Sequence, residues 1–267
     1  MPRWIWPGAI ACAVVTAATL AATPVLAREI GAATRMAATE PAAAAPAAAP
    51  AVAGTPGISV SAAHGTITWT SVYAAGIRFA YIKATEGTST RDSSFNANYP
   101  NAYYAGIIRG AYHLAVPSAS TGTVQADFLA SNGGAWSADG KTLPAALDIE
   151  ANTSSGGYCY GLSVSGMVGW ITAFVNEYHA RTGRWAVLHT TASFWRVCTG
   201  NSTAFAAHSP LSVVHWDTSA GTLPAGWSVY TFWQPTDCQP VSGVTGCAEG
   251  STFNGAVDRL VALANNT

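Results

Sequence analysis

The chain has 267 residues, 49% of them hydrophobic and only 9% charged, with a net charge of −1. That length suits one large domain or two small ones, and the near-zero charge offers no basic surface for nucleic acid. With 10% aromatic residues, a weakly charged surface suits a neutral, sugar-like ligand. Arg3 and the apolar run from Ala9 to Val25 have the layout of an export signal, and the small residues around Val25-Leu26-Ala27 place cleavage after Ala27. A retained membrane anchor is the alternative reading. The run is short for a span, however, and contains Thr16, Thr19 and Thr23. Residues 28–55 are rich in Ala, Pro and Thr and have little to bury, as expected of a disordered linker. Pro41, Pro46 and Pro50 interrupt any helix there.

Residues 56–267 read as the folded part. Gly57 to Ser61 suits a first buried strand, and Trp69 to Ala75 a short helix. Arg78 to Ala84 and Ile107 to Val116 are further strands, with helical spacing over Phe95 to Ala105 between them. Gln125 to Ser131 reads as helix and Leu143 to Glu150 as strand. Ser163 to Thr182 is the longest amphipathic stretch, with Met167, Trp170, Ile171, Phe174 and Tyr178 at three- and four-residue spacings. Strands follow at Ala186–Thr191, Leu211–Trp216 and Tyr230–Gln234, then a closing helix over Ala256–Ala264. Strands alternating with helices indicate parallel βα units, and seven or eight of them suggest a barrel. An open doubly wound sheet would carry a Gly-rich phosphate loop after the first strand, and no G-x-G-x-x-G stands there.

Of the five cysteines, Cys12 leaves with the signal, and Cys159, Cys198, Cys238 and Cys247 remain. An even number in an exported chain indicates two disulfides, for which three pairings exist. The short separation of Cys238 and Cys247 around a Gly/Pro/Ser loop favours that pair and leaves Cys159 with Cys198. A zinc site lacks support, because no Cys-x-x-Cys or His-x-x-x-His spacing occurs. No metal and no cofactor is expected.

The chemistry concentrates at Leu143-Pro-Ala-Ala-Leu-Asp-Ile-Glu150, an apolar strand with acids only at its end. In a parallel βα barrel, reactive groups gather where strands end. Alternation puts Asp148 and Glu150 on one face, about 7 Å apart along the strand, and Ile149 on the other. Mutual repulsion and apolar walls raise one pKa and keep an acid protonated near neutrality. Glycoside cleavage needs such an acid to protonate the leaving oxygen. A salt-bridged strand end is the plainer alternative, but only 13 Asp and Glu occur in the chain, so two on one apolar strand call for a cause.

Six blocks occur in order: Gly57-Ile58-x-Val60-Ser61, Ile82-Lys83-Ala84-Thr85-Glu86-Gly87-Thr88, Gly110-Ala111-Tyr112-His113, Leu147-Asp148-Ile149-Glu150, Phe232-Trp233-Gln234 and Phe253-Asn254-Gly255. Together they resemble family 25 glycoside hydrolases, the Chalaropsis-type lysozymes, from Gly57 to the C-terminus. The resemblance implies a distorted βα barrel that cleaves the β-1,4 bond from N-acetylmuramic acid to N-acetylglucosamine in peptidoglycan. It implies Glu150 as general acid and Asp148 as the group that assists the substrate N-acetyl group, an exception to the two-carboxylate scheme. With the export signal, the expectation is a secreted or wall-associated monomer, without stable membrane insertion, whose partner is the glycan strand.

The chain departs from the family pattern in places. The usual first-strand acid is Ser59, the usual His-Phe-Ala-Arg-Pro reads His113-Leu-Ala-Val116-Pro117, and a common tyrosine is His189. By the resemblance, the family's late acid corresponds to Glu249. Ser59 motivates an alternative: a degenerate member that binds peptidoglycan without efficient cleavage.

Further ligand candidates are Tyr112, preferred over His113 because alternation lets one of them face the pocket, and His189, Trp216 and Trp233 at strand ends. Glu86 and Asp92 are expected to brace a loop. A Ser59/His64 nucleophile pair lacks a G-x-S-x-G elbow.

Overall fold

The structure, a computed structural model, describes residues 54–152 and 156–267. The expected export signal and the linker up to residue 53 lie outside the described residues. The first strand, β1 (Thr55–Val60), begins two residues before Gly57. It is followed by α1 (Trp69–Ala74), β2 (Phe79–Glu86), a two-residue β3 (Thr90–Arg91), α2 (Phe95–Tyr104), β4 (Ile108–Leu114) and α3 (Gly122–Leu129). Then come β5 (Ala146–Asp148), α4 (Val164–Thr182), β6 (Val187–Thr191), α5 (Ala192–Thr199), β7 (Leu211–Val214), β8 (Phe232–Pro240), β9 (Cys247–Phe253) and α6 (Val257–Asn265).

The sheet order runs β1-β9-β8-β7-β6-β5-β4-β2-β3, and a further β1–β2 pairing closes it into a barrel of eight strands, with β3 appended to β2. Strand pairs from β1 through β8 along the β2, β4, β5, β6 and β7 path are parallel. The expected distorted βα barrel is observed, and its distortion lies at β9, which runs antiparallel to both neighbours, β8 and β1. A short hairpin delivers β9, so no helix intervenes to turn it parallel.

Alternation along the strands sorts two apolar layers. Ala80, Ile82 and Ala84 of β2 face the helices and pack with Leu147, Ile149 and the α4 residues Met167, Ile171, Phe174 and Tyr178. Phe79 and Tyr81 face inward, to Phe232 of β8. Their ring centroids lie 5.2 and 5.5 Å from that of Phe232, which is 5.4 Å from Phe253. Since β2 and β8 are not neighbours in the sheet, these contacts cross the barrel interior. Two glycines make the room: a Cβ on Gly57 would lie 2.3 Å from the Phe79 ring, and one on Gly110 would lie 2.4 Å from that of Tyr81. Leu260 and Ala264 of α6 join the same inner cluster.

Helix α4 starts at Ser163, whose side chain accepts from Gly166 N, and stops at Gly183, which takes the left-handed conformation with φ 71°. β5 begins at Ala146, three residues into the expected strand over Leu143–Glu150, because Pro144 has no N–H to give to a ladder. The tract still runs beside β4: Leu143 N donates to Arg109 O at 2.9 Å. Helix α5 and strand β9 lie where no element was expected, and α3 begins three residues earlier than the pattern suggested. Disulfides join Cys159 to Cys198 and Cys238 to Cys247. The second spans the β8–β9 hairpin, and the first ties the segment after Glu150 to α5.

Candidate active site

The upper end of the barrel, where the parallel strands terminate, is polar. Ser59 of β1, Tyr112 of β4, Asp148 of β5, His189 of β6, Ser212 of β7, and Glu249 and Ser251 of β9 line one small cavity. Its floor is Tyr81, from the inner aromatic cluster. A second space, a cleft of about 670 Å³, is lined by Glu150, Thr191, Ser193, Arg196, His215 and Trp216 among others. Asp148 thus lines the cavity and Glu150 the cleft. Ile149 between them is fully buried in the helix-facing layer, so alternation aims the two acids inward. Its N–H donates to His189 O at 2.9 Å, and Ala115 N donates to Asp148 O at 2.9 Å. Backbone bonds on both sides therefore fix the acidic triplet.

The carboxyl groups lack protein partners where they are buried. Asp148 Oδ1 and Glu150 Oε1 are both buried without a hydrogen bond. Burial, then Glu150 and Glu249, push the Asp148 carboxyl well above the usual range. Burial, then Glu249, push Glu150 up to about 7. Burial also raises Glu249, which His64 partly offsets. Glu249 stands directly across the β1–β9 ladder from Ser59, and residues opposite one another in a ladder share a face. Neighbouring carboxylates oppose one another's ionisation, and Glu150 is the one held near neutral pH.

The aromatic and histidine candidates divide by strand face. Tyr112 reaches the cavity, and burial, then Asp148 and Glu249, raise its hydroxyl well above the usual value. Its neighbour His113 points outward and is buried, bonded to Thr85 Oγ1 at 2.8 Å and Gln125 Oε1 at 2.9 Å. His189 faces the cavity, with Nδ1 2.8 Å from Ser212 Oγ, and burial pulls its pKa down to about 4. It is therefore a neutral imidazole at physiological pH.

Trp216 is 61% exposed at the cleft edge. Trp233 is not a cleft residue, which corrects the expectation for it. It is 2% exposed and packs on Leu211 and Val213, and its indole N–H donates to His215 O at 2.9 Å. Phe232 fills the barrel, so alternation turns Trp233 outward.

The bracing residues are where a structural role puts them. Glu86 pairs with Lys83 at 2.6 Å. Asp92 accepts from Ala62 N at 2.8 Å and from Ser94 N at 3.0 Å. His64 Nδ1 accepts from Ser61 N at 3.0 Å and its Nε2 donates to Cys247 O at 3.0 Å, so it is spent on the backbone and activates no serine. Among the described residues, no three or more His, Cys, Asp or Glu side chains are arranged to hold a metal ion. Sequence reasoning missed Thr191, Ser193 and Arg196 on the cleft wall. A Thr191 cap, apolar Phe194, Trp195 and Cys198, and Gly200 past the end would have marked α5.

A family model described as Glycosyl hydrolases family 25 matches residues 58–244. The chain belongs to this family of glycoside hydrolases. Over 215 residues it is 56% identical to Lysozyme M1 of Streptomyces globisporus, covering 80% of this chain and 73% of that one. It is 43% identical over 212 residues to the N,O-diacetylmuramidase of Chalaropsis sp., covering 78% and 98% of the two chains. The crystal structure of the bacterial lysozyme from Streptomyces coelicolor superposes with a TM-score of 0.79 at 55% identity, covering 81% of this chain and all of that one. In a family 25 barrel, the acids at the end of β5 occupy the face where βα barrels carry out their chemistry.

Proposed function

We propose that this chain is an exported N-acetylmuramidase that hydrolyses the β-1,4 bond between N-acetylmuramic acid and N-acetylglucosamine in peptidoglycan. The observation that carries the reading is the carboxyl of Glu150, held to about 7 by burial and by Glu249, at the wall of an open cleft edged by Trp216. An acid protonated near neutrality can give its proton to the leaving glycosidic oxygen. Its uncharged state is supported by the Glu249 carboxyl at the barrel mouth.

Asp148 serves the substrate acetamido group. Its Oδ1 is buried without a partner, and a buried acceptor needs a donor; the acetamide N–H supplies one. Held this way, the acetamide oxygen attacks the anomeric carbon as the glycosidic bond breaks and Glu150 gives up its proton. Water then opens the cyclic intermediate, with Glu150 taking a proton back, and the anomeric configuration is retained. Glu249 is the third carboxyl of the set, and its charge governs the other two from across Ser59. Tyr112 and His189 shape the cavity as neutral hydrogen-bonding groups, and Trp216 offers an exposed ring for a sugar face. The protein works outside the cell as a monomer on wall glycan. Among the described residues, no helix is long and apolar enough to cross a membrane.

Full-length protein incubated with walls that contain muramic acid should release reducing ends, and Glu150→Gln should stop this with the fold intact. A folded wild type that releases none sinks the muramidase reading. A second reading, glycan binding without efficient cleavage, draws on uncharged Ser59 in the cavity; tight wall binding with no turnover is its signature.

A further inference from the structure

We infer that Arg196 is the receptor for a carboxylate carried on the lactyl ether of the muramic residue, an inference that rests on the muramidase reading. Arg196 and Glu150 line the same cleft, on different elements. Arg196 follows Ala192 by four residues and Ser193 by three on α5, so the three share one helix face, and all three line the cleft. The ion pairs among the described residues are Lys83–Glu86, Arg109–Asp139, Arg181–Asp127 and Arg181–Glu177, and none uses Arg196. Several other guanidinium groups are committed to the fold: Arg78 to Tyr73 O, Arg109 to Lys141 O and Arg184 to Leu263 O. The Arg196 side chain is open to solvent in the cleft that holds the proposed acid.

Charge gives the cleft a direction. The barrel mouth offers an anion the carboxyls of Asp148, Glu150 and Glu249, which repel it once ionised, and Arg196 makes the α5 wall attractive to one. The two sugars of the proposed substrate differ at one position. The muramic residue bears a lactyl ether, and its carboxyl is either free or extended by a peptide with carboxyls of its own; the glucosamine residue bears a hydroxyl. A guanidinium binds a carboxylate through paired N–H donors in a fixed fork. Arg196 therefore reads the substituent that tells the two sugars apart and sets the register of the strand over Glu150. Thr191 and Ser193 flank it with hydroxyls, 3.0 Å apart.

The test uses full-length Glu150→Gln protein, which binds without turning over, and three probes. These are glycan strands with peptide attached, the same strands stripped to the free lactyl carboxylate, and stripped strands with their carboxyls converted to amides. The parent should bind the charged strands roughly fivefold more tightly than the amidated ones, the upper end for an exposed ion pair. Adding Arg196→Gln should abolish that preference and leave affinity for amidated strands unchanged, and Arg196→Lys should restore part of it. In the otherwise wild-type enzyme, Arg196→Gln should raise KM on charged strands with kcat unchanged. A preference seen with stripped strands assigns the lactyl carboxylate itself, and one confined to peptide-bearing strands assigns the peptide. A parent that binds no strand or shows no preference, or a preference that survives Arg196→Gln, overturns the inference. If the preference behaves as expected while wild type releases no reducing ends, the muramidase reading fails and the Arg196 inference stands for a binding protein.

Discussion

The lower and upper halves of the barrel interior belong to one closed sheet and differ in what its strands turn inward. Below, Phe79, Tyr81, Phe232 and Phe253 fill the space with rings from β2, β8 and β9. Above, β1, β4, β5, β6 and β9 contribute Ser59, Tyr112, Asp148, His189 and Glu249. The lower half follows the usual rule for interiors, close packing with few polar atoms. The upper half violates it, leaving carboxyl oxygens of Asp148 and Glu150 buried and unbonded. Such groups cost stability unless a ligand satisfies them. The contrast separates residues that hold the barrel closed from residues that the barrel holds ready.

Exchanging one residue from each half tests this separation. Glu150→Gln should lower kcat by roughly 100- to 10,000-fold, the usual worth of a general acid, with no loss of melting temperature. Phe232→Ala should do the reverse. Phe232 is fully buried among three other rings, and its truncation should cost about 4 kcal/mol, or about 10 °C in Tm for a domain of this size. The molecules that remain folded should keep their pH–activity profile. Calorimetry and a reducing-end assay on the same samples give both readings. Loss of stability in Glu150→Gln, or a shifted pH profile in Phe232→Ala, would mean the halves are not separable.

A smaller effect concerns Glu249. Its carboxyl raises that of Glu150 from across the mouth, so Glu249→Gln should let Glu150 ionise at lower pH. The alkaline limb of the kcat/KM profile, set near 7 by Glu150, should then move to lower pH. Because Ser59 pairs with Glu249 in the ladder, Ser59→Asp placed in the Glu249→Gln chain should bring the limb back up. An unmoved limb in Glu249→Gln would remove Glu249 from the cluster.

Much of this contrast was legible in the chain itself, where a local pattern carried it. The spacing of Met167, Trp170, Ile171, Phe174 and Tyr178 defines α4, because a long helix has enough turns for its period to show. The apolar tract ending in Asp148 and Glu150 places the acids at a strand end for the same reason. β9 was hidden because the residues it turns to the cavity are Glu249 and Ser251, with Gly250 between them. A strand whose inward face is the active site has no apolar alternation to read. Gly250 has its own reason, since a Cβ there would lie 2.2 Å from Gln239 Oε1. α5 has eight residues, too few for a clear period. The position of Trp233 at a strand end does not tell its face; the filling of the barrel by Phe232 decides that, and this is a tertiary fact. In the sequence Ser59 is a lost charge, while the antiparallel register that sets Glu249 opposite it depends on β9.

The smallest expected effect is on stability against pH, and its sign follows from linkage. The folded chain holds the Glu150 carboxyl at about 7 against an ordinary 4.5. Between those values the folded state binds a proton that the unfolded state has released, so stability falls as pH rises through this window. The contribution is fully present below about 4.5 and lost above about 7. A neutral amide escapes the loss. Glu150→Gln should therefore match wild type in Tm at pH 4 and exceed it increasingly from pH 5 to pH 8. The gain is modest because Glu150 keeps partial access to solvent at the cleft wall. The same scan on Phe232→Ala should show an offset that is constant with pH. A Glu150→Gln gain that is flat with pH would mean that burial, and not ionisation, sets the strain at this position, and the proton stored there would lose its thermodynamic support.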